Sequence, residues 1–169
     1  MRKRIDRFIE DALVEFIDWF HDTEWVGKER DAVNMFAMGF LAKHVQPDAA
    51  IYDLRQIRIE SPVPQLANHR NKPAVAKDLL IWKEPLMTAW NSDYNPVNVP
   101  WVILEWKFKR KGRNPNWFDD YDANWLSDFT LQNPGTFAYL VQLYAGKESR
   151  DVLWAKVKDG EVKIANRRS

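Results

Sequence analysis

The sequence predicts an α/β domain: a central mixed β-sheet flanked by helices, preceded by a helical extension. Three observations lead there. Two stretches near the N-terminus repeat apolar residues at steps of three and four, the period of a helix. From Ile51 onward the apolar residues alternate or gather in short blocks, as strands do. A stretch near residue 120 then returns to helical spacing between two strands. The 169 residues suit one domain with a sizeable core, and 46% hydrophobic with 29% charged residues is the composition of a folded chain.

In the first helix, expected over about residues 3–20, Ile5, Phe8, Ile9, Ala12, Leu13, Phe16 and Phe20 share one face. "HDTEWVG" breaks it. A second helix is expected over about 28–45 on the stripe Val33, Phe36, Ala37, Phe40 and Leu41, ending before Pro47. "IYDLRQIRIESPV" reads as the first strand, "AVAKDLLIW" as the second and "PWVILEWKFKR" as the third. Loops at 84–99 and around "RKGRNPN" separate these from a helix in "WFDDYDANWLSDF", where Trp117, Tyr121 and Trp125 stand at helical spacing. "TFAYLVQLYAG" and "DVLWAKVKDGEVKIAN" close the chain as strands, the second folded at Asp159-Gly160, a tight-hairpin pair. The expected organisation is a single domain: an N-terminal helical extension over 1–26, a core over 28–145 and a C-terminal hairpin over 146–169.

Composition removes several classes of function. No apolar run approaches the roughly 18 residues of a membrane span, and the basic start "MRKRIDRF" lacks the apolar segment of a signal peptide, so a cytoplasmic protein is expected. The absence of cysteine excludes disulfides, thiolate zinc and a cysteine nucleophile, and the three histidines are far apart in sequence. A hard, oxygen-liganded metal remains open. The net charge of +1 says little about partners, since a local patch matters more than the total. Most of the nine tryptophans belong to an aromatic core.

Asp78 is the residue that fits its surroundings least. It opens the apolar run Leu79-Leu80-Ile81-Trp82, and a buried carboxylate needs a charged or hydrogen-bonding partner. In the third strand Val102, Leu104, Trp106 and Phe108 make one apolar face, and the opposite one carries Trp101, Ile103, Glu105, Lys107 and Lys109. If strands two and three pair, Asp78 lies across from Glu105 and Lys107. Two carboxylates held together repel unless a cation intervenes, and a divalent ion is a natural resident. Glu-x-Lys alone carries little information: Glu161-Val162-Lys163 repeats it on the final hairpin, where a solvated charge pattern is the expected reading. The first copy differs in following an apolar run, in its Asp78 neighbour and in the basic cluster after it.

"KDLLIW", a connecting loop and "VILEWKFK" resemble the metal-dependent PD-(D/E)xK nuclease superfamily, with its restriction-endonuclease-like fold. The resemblance covers about residues 28–145. It implies that Asp78 and Glu105 are metal ligands, that Lys107 is the catalytic lysine and that Glu29, on the preceding helix, is a further acidic ligand. It also implies a ligand in the Trp106 carbonyl, magnesium or manganese as cofactor, and hydrolysis of phosphodiester bonds, with DNA the expected substrate. Lys77 stands where the family name has proline. Gln142 and Tyr144 fall on a strand, so the glutamine-tyrosine helix motif of the exonuclease-like branch is not carried over.

"KFKRKGR" puts five basic side chains into residues 107–113, and Lys107, Lys109, Arg110, Lys111 and Arg113 are expected to form a positive lip suited to phosphate backbone. His69, Arg70 and Lys72 are weaker candidates. Trp90 and Tyr94 could stack on unpaired bases, although pinning a long loop explains them as well. His44 is expected to be structural. Two other classes compete with a nuclease: a nuclease-fold protein that binds nucleic acid or protein without cutting, and an assembly subunit whose partner covers the N-terminal helix. That helix could equally lie on its own domain or form a homodimer.

Overall fold

The computed structural model describes residues 4–68, 72–112, 116–147 and 149–165. The seven-residue stripe of the first helix is buried as its spacing predicts, on α1 (Ile5–Asp22). It packs in one cluster with Leu79, Ile81, Leu104, Trp106 and Val141, so the chain's own sheet covers the helix. The second helix begins as α2 (Glu29–Met35), passes through a π-helical turn over Phe36–Phe40 and tightens to a 3₁₀ turn over Leu41–His44. Changing pitch keeps Val33, Phe36, Ala37, Phe40 and Leu41 all on the sheet.

The strands are β1 (Ile57–Pro64), β2 (Ala74–Ile81), β3 (Val102–Lys109), β4 (Phe137–Ala145), β5 (Arg150–Lys158) and β6 (Glu161–Ile164). They form one sheet in sequence order. β3 and β4 run parallel, and every other neighbouring pair is antiparallel. The one parallel step needs a crossover, which α3 (Asp120–Gln132) supplies. α1 and α2 cover one face, and α3 covers the other through Trp125, Leu126 and Phe129, packed on Leu80, Ile103, Leu140 and Leu153.

Two expected elements differ. The strand expected from Ile51 starts at Ile57, because Asp53 accepts the Arg55 N–H at 2.8 Å and starts a 3₁₀ turn over Leu54–Gln56. α3 starts at Asp120, where the Asp119 carboxylate accepts the amides of Tyr121 and Asp122 at 3.1 and 3.3 Å. Trp117 therefore precedes the helix, and of the expected aromatic stripe only Trp125 enters the core, with Trp117 and Tyr121 exposed. The final turn is as expected, with Asp159 at φ 51° and Gly160 at φ 83°. Among the described residues no helix is long and apolar enough to cross a membrane.

Candidate active site

The site forms where β2 leaves β3. Their pairing runs from Ile81↔Val102 to Leu79↔Leu104 and stops there. The amide of Trp106 is thereby left without a backbone acceptor from β2, and Asp78 fills the gap: its Oδ2 accepts the Trp106 N–H at 2.8 Å. On the other edge of β2, Glu60 occupies the register position opposite Asp78 but drops out of the ladder and takes φ 49°. The alternation of β2 changes phase at this point. Leu79 and Ile81 face α1 and α2, whereas Val75 belongs to the core beneath α3 and Lys77 reaches Trp125 of that helix.

This change of face brings Lys77 to Glu105. Both are buried, at 3% and 7% exposure, and they form a close ion pair. The Lys77 ammonium also lies 3.8 Å from the centre of the Trp125 ring, a cation–π contact in a dry setting. Glu105 is within hydrogen-bonding reach of Asp78 as well. Burial and the Asp78 charge push its carboxyl up to about 8, with Lys77 offsetting only part of the rise.

Glu29 opens α2 and accepts the Phe108 amide at 3.2 Å. Burial raises its pKa, Lys107 pulls it down and Asp78 pushes it up, which puts all three in one field. Glu29, Asp78, Arg30 and Glu60 line a recess of about 50 Å³, across which Arg30 Nε binds Glu60 at 2.6 Å. Lys107 lies 3.1 Å from Asp122 of α3. Burial alone would lower its pKa, but Asp122, Glu29 and Asp78 outweigh burial and raise it, so its ammonium is kept charged.

The four expected acidic and basic residues therefore share one field: the Asp78 charge acts on Glu105, Asp78 shares a recess with Glu29, and Lys107 lies in the field of Asp78 and Glu29. In a strand the N–H and C=O of one residue leave the same edge, so the Trp106 carbonyl is on the side of Asp78. All the acidic groups offer oxygen, which suits magnesium or manganese. Among the described residues no three His, Asp or Glu side chains are grouped as a ready metal cage. The fit rests instead on the Asp78–Glu105 pair: burial and the Asp78 charge disfavour the ionised Glu105 carboxyl, a cation relieves that, and Lys77 already supplies one.

Lys109, Arg110 and Lys111 leave the end of β3 and are exposed, and Arg110 donates to the Gly27 carbonyl. Arg113, His69 and Arg70 lie outside the described residues. Lys72, Trp90 and Tyr94 are exposed, with Trp90 bridged to Pro96 inside its own loop. The repeat Glu161–Lys163 is an exposed pair at 3.0 Å on the last strand. His44 pairs with Glu15 at 3.0 Å and stacks edge-on against Phe8, a packing role.

Sequence reasoning missed two partners. Lys77 departs from the proline of the family pattern, and a lysine beside Asp78 in an apolar strand is itself a sign of a buried pair. Asp122 had no such sign, because only the seating of α3 on the sheet brings it to Lys107. Gln142, opposite Lys107 in the β3–β4 register, is buried and donates to the Trp117 carbonyl at 3.1 Å. Comparison with protein-family models, with curated proteins and with solved structures finds no match to this chain.

Proposed function

We propose that the chain is a metal-dependent nuclease of the PD-(D/E)xK type, with a restriction-endonuclease-like core, that hydrolyses phosphodiester bonds of DNA. The observation that carries the reading is the seating of Asp78 on the Trp106 amide, next to Glu105, at the point where β2 and β3 part, with a charged Lys107 in the field of Asp78. Asp78 and Glu105, with Glu29 and the Trp106 carbonyl, would hold magnesium or manganese. Such an ion, when bound, polarises the scissile phosphate and acidifies an attacking water. The amides of Trp106 and Phe108 fix the Asp78 and Glu29 carboxylates. Lys107 serves as a fixed positive charge for the phosphate oxygens as they gain charge, rather than as the base, because its acidic neighbours keep it protonated.

A second reading has its own observation. Glu105 is neutralised by Lys77 and Lys107 by Asp122, so two of the site's charges are already satisfied within the chain. A nuclease-fold protein that binds nucleic acid or a protein partner without cutting would tolerate this. The discriminating experiment incubates circular single- and double-stranded DNA with the protein, with Mg²⁺ or Mn²⁺ and with chelator. Cleavage should require the ion, fall by orders of magnitude in Asp78→Asn, Glu105→Gln and Lys107→Ala, and persist in Glu161→Ala. If both circles stay intact with either ion, the binding reading replaces the nuclease.

A further inference from the structure

Beyond the ends of β3 and β4 a cleft of about 380 Å³ opens between two loops. One wall is Arg110, Lys111 and Gly112, leaving β3; the other is Gly146, Lys147 and Ser149, in the turn from β4 to β5. The walls are tied together, because the Tyr144 hydroxyl donates to the Gly112 carbonyl at 3.0 Å. Both glycines are needed for that tie. Gly112 takes φ 85°, a conformation that side chains disfavour, and a Cβ on Gly146 would lie 2.4 Å from the Tyr144 hydroxyl.

Among its described lining residues the charge of this cleft is basic. Arg110, Lys111 and Lys147 line it, and among the described residues no Asp or Glu does. Arg110 is held by neutral groups, the Gly27 carbonyl and the Phe108 ring at 5.3 Å, so its charge is not cancelled. Lys111 and Lys147 are in no ion pair among the described residues. At the metal site the opposite holds: Lys77, Lys107 and Arg30 each face a carboxylate. The attraction for a polyanion is therefore offset from the carboxylates, in the cleft. Arg110 stands three residue steps beyond Lys107, about 10 Å at the usual rise, a reach of one or two nucleotides.

We propose that this cleft is a second phosphate subsite, which grips the backbone of a nucleic-acid strand beside the phosphate held at Asp78, Glu105 and Lys107. The proposal rests on the nucleic-acid reading above and adds Lys147, Tyr144 and Ser149, from the β4–β5 turn, to the substrate surface. Binding at the cleft is electrostatic and needs no metal.

Fluorescence anisotropy of labelled single- and double-stranded oligonucleotides, in chelator and over a range of salt, tests it. Each phosphate neutralised contributes about 0.7 (single strand) or 0.9 (duplex) to the slope of log affinity against log salt. Lys111→Ala/Lys147→Ala should lower the slope by about 1.4 or 1.8 in turn. Both lysines are exposed, so the fold should be unaffected. Lys158→Ala/Lys163→Ala, on the β5–β6 hairpin, should leave the slope unchanged. An unchanged slope in the cleft variant overturns the proposal. So does poly-glutamate competing as well as an unlabelled oligonucleotide, which would mark the cleft as a site for acidic peptide. Digestion of circular DNA with the same preparations keeps the two readings apart. Oligonucleotide binding with the lowered slope but no cleavage by wild type keeps the subsite and removes the nuclease. Cleavage with an unchanged slope does the reverse.

Discussion

Lys77 and Glu105 are an acid and a base that the fold has taken out of water together, and each depends on the other. Removing one partner leaves the other buried and uncompensated, a loss of about 3–5 kcal/mol, whereas replacing both by neutral groups of similar volume is often close to neutral. At pH 9, above the Glu105 value of about 8 so that both groups are charged, Lys77→Met and Glu105→Gln should each lower the urea midpoint strongly, and the double variant should recover most of the loss. Additive losses in that cycle would mean that the two side chains do not form a pair in solution. The same site predicts a pH dependence. The Glu105 carboxyl, ordinarily near 4.5, is pushed up to about 8 in the folded protein. Between those values the folded state holds a proton that the unfolded state has lost. Its stabilisation is therefore complete below the lower value and is lost as pH rises through the upper one. In chelator the melting temperature should fall as pH goes from 5 to 8, and the Lys77→Met/Glu105→Gln variant should lose that fall. Asp6 acts in a separate window. Burial works against its ionisation, but Lys156 and Arg4 hold its carboxyl down to about 2, so its contribution is lost only as pH drops below its ordinary 3.8.

At the scale of elements, α1 is an integral layer of the core rather than an appendage. Phe16 meets Phe36, Phe40 and Trp106 edge-on, with ring centres 5.9, 5.4 and 5.3 Å apart, and so ties both helices to β3. Phe16→Ala should cost about 3–5 kcal/mol by chemical denaturation, the range for a fully buried aromatic. A loss below about 1 kcal/mol would mean that α1 is detached in solution, since only surface sites behave so mildly. The α1 stripe was legible because helical spacing alone decides which residues face inward. β3 was legible for the same reason, since strict alternation separates its two faces. The start of α3 was not. Trp117 and Tyr121 matched the period, yet the Asp119 cap moves the first turn past Trp117, and a period fixes spacing rather than where a helix begins. Asp78 and Glu105 stood out by their misfit with apolar neighbours. The change of face in β2 beside Glu60, which turns Lys77 towards α3 with the β1–β2 register unshifted, left no trace in the pattern, because alternation assumes an unbroken pleat.

For the whole molecule, the sheet and its two helical layers bring together carboxyls from α2, β2 and β3 that the unfolded chain keeps apart, so an ion that they hold would bind only the folded state. At a hundred times its dissociation constant such an ion adds roughly 2.7 kcal/mol by mass action. For a chain of this size that is a rise of roughly 5–10 °C in melting temperature. Asp78→Asn should abolish the rise while keeping the fold, because the Asn carbonyl can still accept the Trp106 amide that Asp78 accepts at 2.8 Å. Without metal the variant should be at least as stable as wild type, since Asp78 is one of the charges that push the Glu105 carboxyl up. Thermal melts of both proteins, in chelator and in excess Mg²⁺ or Mn²⁺, measure this. An Asp78→Asn protein that melts well below metal-free wild type would identify Asp78 as a structural partner of the Trp106 amide. A metal-induced rise kept in full by the variant would put the ion elsewhere in the chain. Loss of the rise without loss of metal-free stability is the combination that a carboxyl kept for binding a cation, and not for folding, must give.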